Sequence, residues 1–138
     1  MDQQPASGPG GAIAAGLTAR VELTVTDADT AQAIGSGDVP VLATPRLLAL
    51  AEAATVAATA TRVGSGVTTV GTRVELEHRV PTPIGRTVVA VARLAKVDGR
   101  RLLFEVIVTE GGQTVADCRI ERVILDRQRF LEKAFGGS

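Results

Sequence analysis

"LLALAEAATVAATAT", residues 47–61, decides how the rest of the chain reads. Every residue in it is small, apolar or hydroxylated except one, the carboxylate of Glu52. Just upstream, Thr44 can cap a helix, and Pro45 suits the first helical position, where a missing N–H costs nothing. Gly64 follows as a stop. The pattern predicts a helix from 44 to about 62, apolar around nearly its whole circumference. Such helices are buried rather than surface-lying.

Outward from that helix, the chain reads as strands. "LTARVELTV" (17–25) alternates Leu17, Ala19, Val21, Leu23 and Val25 with polar residues, the mark of a half-buried strand. "DADTAQAIGSGDVPV" (27–41) has turn chemistry and reads as a loop. Four strands follow the helix, at 68–78, 86–97, 101–109 and 114–125. The hairpin signals Asp98-Gly99 and "EGGQ" (110–113) separate the last three. "DRQRFLEKAF" (126–135) reads as a short terminal helix packing through Phe130, Leu131 and Phe135. Residues 1–16, rich in Gly, Pro and Ala, read as a mobile tail, with a single domain from 17 to 138.

Tight turns join antiparallel neighbours. A buried helix and one antiparallel sheet of about five strands imply an α+β chain whose sheet wraps the helix, the hot-dog arrangement. One sheet and one helix leave apolar surface uncovered, so the chain is expected to form a homodimer, with a tetramer as the alternative.

Composition narrows the function. The formal net charge is zero, which lacks the cationic footprint that nucleic acids or anionic membranes require. Three Phe and no Tyr or Trp make a poor base-stacking platform. Cys118 is the only cysteine and His78 the only histidine, so no metal-ligand cluster is expected. No apolar run approaches the ~20 residues that span a bilayer, and no signal peptide is evident. A soluble, cytoplasmic protein is expected.

Two polar groups stand out. A carboxylate on a buried helix must be paired, hydrogen-bonded or protonated. On the strand 68–78, alternation puts Val70, Thr72, Val74, Leu76 and His78 on one face. Gly71, Arg73, Glu75, Glu77 and Arg79 fall on the other. The charged set faces water, so His78 points inward, onto a surface that can meet Glu52. An acid and an imidazole in a dry site are parts of acid–base chemistry. Thr44, eight residues before Glu52, borders the same groove from the helix N-terminus, where N–H groups favour negative charge. Each residue also has a plain structural role open to it. Thr44 can be an N-cap, His78 a satisfied core histidine, Glu52 a buried hydrogen-bond acceptor. Cys118 reads as a small buried hydrophobe.

These residues lie in stretches that resemble the fluoroacetyl-CoA thioesterase family, a hot-dog branch. "VLATPRLLALAEAA" (41–54) resembles its helix start, and "VGTRVELEHRVPTPIG" (70–85) its glycine-to-histidine strand. "VDGRRLLFEV" (97–106) is similar to its hairpin and "ERVIL" (121–125) to its last strand. The resemblance implies a catalytic set of Thr44, Glu52 and His78, with Gly71 and its neighbour Thr72 beside the substrate. It also implies hydrolysis of a short acyl-CoA thioester at the interface of a homodimer. Coenzyme A enters as part of the substrate, and no other cofactor is implied. The family's fluoroacetate-specific enzyme carries aromatic residues just before its helix, whereas "QAIGSGDVPVLA" (32–43) has none. The hydrolase chemistry therefore transfers better than the substrate. Two other readings stay open: a hot-dog hydratase or dehydratase, and a non-catalytic acyl-CoA or small-ligand binder.

Overall fold

A computed structural model of the chain describes residues 11–136. In chain order the elements are β1 (Thr18–Thr24), a 3-10 turn (Asp27–Asp29), α1 (Ala31–Ile34), α2 (Thr44–Thr59) and a second 3-10 turn (Ala60–Arg62). Then come β2 (Val67–His78), β3 (Thr87–Asp98), β4 (Arg101–Glu110), β5 (Gln113–Asp126), α3 (Arg127–Leu131) and a π-helical turn (Glu132–Gly136). The five strands make one antiparallel sheet in the order β1-β3-β4-β5-β2. The long helix α2 lies in its concave side, mainly across β1 and β3.

The hairpins follow from glycine. Gly99, and Gly111 with Gly112, take positive φ, and so close the β3–β4 and β4–β5 turns with few residues. Strict alternation along β3, β4 and β5 sends Val88, Ala90, Ala92, Leu94, Leu102, Phe104, Val106, Val108, Ala116, Cys118 and Ile120 inward. They meet Leu47, Leu50, Ala51, Ala54 and Ala58 of α2, spaced at i, i+3, i+4, i+7 and i+11. Alanines on that stripe let the helix settle close to the sheet. Each fully buried large side chain contributes about 1.5–3 kcal/mol.

Four local expectations need correction. The helix is not enclosed all round: one chain's sheet covers one side, and Ala49, Ala53, Val56 and Ala57 are exposed on the other. The 27–41 loop contains α1, which Thr30 caps by accepting from the Ala33 N–H at 3.1 Å. At the terminus, Phe130, Leu131 and Phe135 are 38%, 43% and 83% exposed, because among the described residues only the adjoining end of β5 and the following turn lie against α3. Of the expected tail, residues 1–10 lie outside the described residues. Residues 11–16 are tied to the domain: Ala12 accepts from Arg62 at 2.9 Å, the Gly16 N–H reaches the Leu94 carbonyl at 2.8 Å, and Ile13 packs on the core.

A fifth difference lies in β2. The register against β5 slips between Gly71 and Arg73, leaving Thr72 as the extra residue of a bulge. Gly71 pairs with Arg122, and Val74, Leu76 and His78 pair with Ile120, Cys118 and Ala116. Those β5 residues all face inward, so Gly71 shares a face with His78, which plain alternation denied it. The outer set, Arg73, Glu75 and Glu77, stays on the solvent side.

Candidate active site

The N-terminus of α2 sets the first half of the site. Its N-cap is Ala43, with no side-chain cap, and Thr44 is already helical. The Thr44 hydroxyl is therefore free of capping duty. It lies 2.8 Å from His78 Nδ1, in a hydrogen bond between helix and strand. The imidazole is half-buried. Burial pushes its pKa below the ordinary 6.5, against a smaller upward pull from the Val80 backbone. Burial thus disfavours the charged form of the ring. Its Nε2 is buried and, among the described residues, has no hydrogen-bond partner. Beside this pair lies a cavity of about 320 Å³, walled by Ser36, Val39, Leu42, Thr44, His78 and Pro81.

The second half lies two helical turns on, about 12 Å along the axis. Glu52 approaches β2 at Gly71, and an added Cβ there would sit 2.6 Å from Glu52 Oε2. With the carboxylate in this position, any side chain at 71 would press on it. Glu52 Oε2 is 3.5 Å from Arg122 NH1, while Arg122 donates through Nε to Thr69 Oγ1 and through NH2 to the Thr69 carbonyl, both at 3.0 Å. Arg122 is 7% exposed. Burial lowers its pKa, and Glu52 opposes that shift.

Within one chain the sequence-derived residues thus fall into two pairs, Thr44 with His78 and Glu52 with Gly71. Among the described residues, Glu52 makes no hydrogen bond to His78, so the expected meeting of acid and imidazole does not occur within the chain. Thr72 is exposed, and its hydroxyl donates to the Glu121 carbonyl at 3.2 Å, which does not bring it to Glu52. Arg122 went unnoticed in the sequence, though its signal is there: residues 116, 118, 120, 122 and 124 read Ala, Cys, Ile, Arg, Ile, one cation in an apolar row. Cys118 is buried, and burial pushes its thiol up to about 11, which disfavours the reactive thiolate. A groove of about 420 Å³, lined by charged residues such as Arg73, Lys96, Glu105 and Arg119 together with Leu103, Phe104 and Ile120, touches none of these groups.

The sequence model of the fluoroacetyl-CoA-specific thioesterase family (FlK) matches residues 25–128. The chain belongs to this family. It is 33% identical over 93 residues to the fluoroacetyl-CoA thioesterase of Streptantibioticus cattleyicolor, covering 67% of each chain. It superposes on a solved structure of the fluoroacetyl-CoA thioesterase FlK with a TM-score of 0.85 at 25% identity, covering 93% of this chain and 99% of that one. A hot-dog-like protein from Thermanaerovibrio acidaminovorans, 21% identical, shares the fold with a TM-score of 0.79, over 90% and 94% of the two chains. The fold is the hot-dog fold, and membership of the family makes the chain a hydrolase of small acyl-CoA thioesters. No helix among the described residues is long and apolar enough to cross a membrane.

Proposed function

We propose that the chain is a cytoplasmic homodimeric thioesterase in which Thr44, Glu52 and His78 are the catalytic residues and each site is completed across the subunit interface. The observation that carries this reading is the close approach of Glu52 to Gly71, for which a side chain has been given up. The Glu52 carboxylate attacks the thioester carbonyl or activates the water that does. The neutral His78 moves the proton, and the Thr44 hydroxyl orients it. Backbone N–H groups beside Gly71 and at the start of α2 face the developing oxyanion, often the largest single contribution to catalysis. Coenzyme A enters as part of the substrate, and no other cofactor takes part.

Assembly follows from two open surfaces. β2 is an edge strand of twelve residues, and the uncovered side of α2 is apolar. An unpaired edge of this length invites a second strand. Pairing two β2 edges antiparallel, about an axis midway between Gly71 and His78, sets Glu52 of one subunit opposite the partner's His78. The short acyl group then sits near the cavity walled by Ser36 and Val39. No aromatic side chain covers that cavity, which supports a broader acyl preference than fluoroacetyl alone.

A thiol-release assay over acetyl-, haloacetyl-, medium-chain and aromatic acyl-CoAs tests the chemistry. Glu52→Gln is expected to abolish turnover with the fold intact, and wild-type hydrolysis by that variant overturns the assignment. Mixing Glu52→Gln and His78→Gln subunits tests the assembly. Random reassortment should restore roughly a quarter of the wild-type sites, whereas no restoration excludes a shared site.

A further inference from the structure

Asp29 is a buried carboxylate that the proposed chemistry does not use. It stands just before α1, at the foot of the segment that walls the cavity, and both its oxygens are engaged. Oδ2 accepts from the Thr26 N–H at 2.7 Å and from the Thr26 hydroxyl at 2.9 Å, and Oδ1 accepts from Arg46 Nε at 2.9 Å. Burial alone would raise its pKa, but these bonds outweigh burial and hold the carboxyl below its ordinary 3.8. The backbone adds a further tie: the Ala43 N–H donates to the Asp29 carbonyl at 2.9 Å. Asp29 thus grips α2 at two points, its N-cap and the third residue of its first turn.

The start of α2 has little else to fix it. Ala43 offers no side-chain cap, and the first turn carries no acid. Its one charge is Arg46, a cation at the end of the helix where the dipole disfavours one. Arg46 is badly placed for the helix alone and well placed against Asp29. Thr44 lies between the two gripped residues, Ala43 and Arg46. The reach of its hydroxyl to His78 Nδ1, 2.8 Å away, therefore depends on where that turn is held. Neither Asp29 nor Arg46 lines the cavity beside His78, so any influence on the site passes through the helix.

We propose that the Asp29–Arg46 pair is a positioning device for Thr44: it anchors the first turn of α2 so that the Thr44 hydroxyl stays within hydrogen-bond reach of His78. The inference rests on the reading of Thr44 and His78 as catalytic partners.

The test uses the full-length enzyme. Arg46→Met keeps the aliphatic stem and removes the charge. The nitrogen resonance of His78 Nδ1 reports the Thr44 bond without any turnover, and Thr44→Ala gives its value when the bond is absent. Arg46→Met is expected to shift that resonance toward the Thr44→Ala value, and a resonance unmoved from wild type overturns the proposal. With the best acyl-CoA of the panel, Arg46→Met is expected to lower kcat by about tenfold with KM little changed, a part of the hundredfold that follows a full misplacement of about 1 Å. Added to Thr44→Ala, the same substitution should cost nothing further, because the group it positions is gone. Wild-type kcat in Arg46→Met, or an equal loss in both backgrounds, refutes action through Thr44. Arg46→Lys, which still offers Asp29 one charged donor, is expected to recover most of kcat. A kcat no better than that of Arg46→Met counts against the ion pair as the anchor. Should Arg46→Met fail to fold, Arg46→Gln decides by the same two readings. Thr44→Ala alone separates the layers: wild-type kcat in that variant removes Thr44 from the catalytic set, while the Nδ1 resonance still tests the anchoring.

Discussion

Replacing Gly71 with alanine puts the site's tightest packing under direct test. The added Cβ would lie 2.6 Å from Glu52 Oε2 and 3.8 Å from its Cδ. Ordinary contact begins near 3.4 Å, so the carboxylate must retreat by about 0.8 Å. Gly71 is not among the residues with positive φ, and the backbone accepts alanine without strain. The whole effect therefore falls on the side chain opposite. A displacement near 1 Å of a catalytic group costs about a hundredfold in rate, or about 2.7 kcal/mol of transition-state stabilisation. Stability should move little. Glu52 is the flexible end of a side chain 36% exposed, free to turn toward water, and alanine in a strand interior recovers about 0.5–1 kcal/mol of the entropy that glycine loses. The expected variant melts near the wild-type temperature and releases thiol about a hundred times more slowly. Wild-type turnover would refute the packing argument. A collapse of the melting temperature would show that Gly71 serves the fold rather than the carboxylate.

Two further outcomes follow from the same structure. His78 is the only histidine, so its ring protons can be followed by NMR without ambiguity. Burial disfavours its charged form, so the midpoint should fall below 6.5, and folding stability should decline as pH drops below that value while the unfolded chain takes up the proton. A midpoint at or above 6.5 contradicts the account. Cys118, buried and with its thiol raised to about 11, should not react with a disulfide reagent in the native protein near neutral pH. It should react promptly after denaturation, and rapid native labelling would show the core to be open.

Most of the architecture could be read in the sequence because it rests on periodicity. The alanine-rich run, the alternation in β3, β4 and β5, and the glycine hairpins each report one local rule, and those rules agree. The failures have physical causes. The bulge at Thr72 adds one residue to β2 without any compositional mark, so alternation counted through it assigned Val70 and Thr72 to the inner face and Gly71 to the outer one. Thr44 followed by Pro45 looks like a cap, but the cap position falls on Ala43, and the hydroxyl turns to His78 instead. Facing direction was legible for Glu52 and His78, but separation was not: a shared face says nothing of the two helical turns between them. Arg122 was visible as the one cation in an inward row and was passed over because the search followed acids and histidine.

The segment that walls the cavity beside His78 is fastened at both ends. The Ala31 N–H binds the Val41 carbonyl at 2.9 Å, the Gln32 N–H binds the Val39 carbonyl at 3.1 Å, and the Leu42 N–H binds Thr82 at 2.9 Å. Main-chain bonds, the Thr30 cap and the buried side chains of Ala31 and Leu42 hold its path, while Val39 is exposed. Ser36 and Val39 can thus change in bulk or polarity while sheet, helix and reacting groups keep their places. Under the proposed function, substitutions at Ser36 and Val39 are expected to alter acyl preference before they alter hydrolysis.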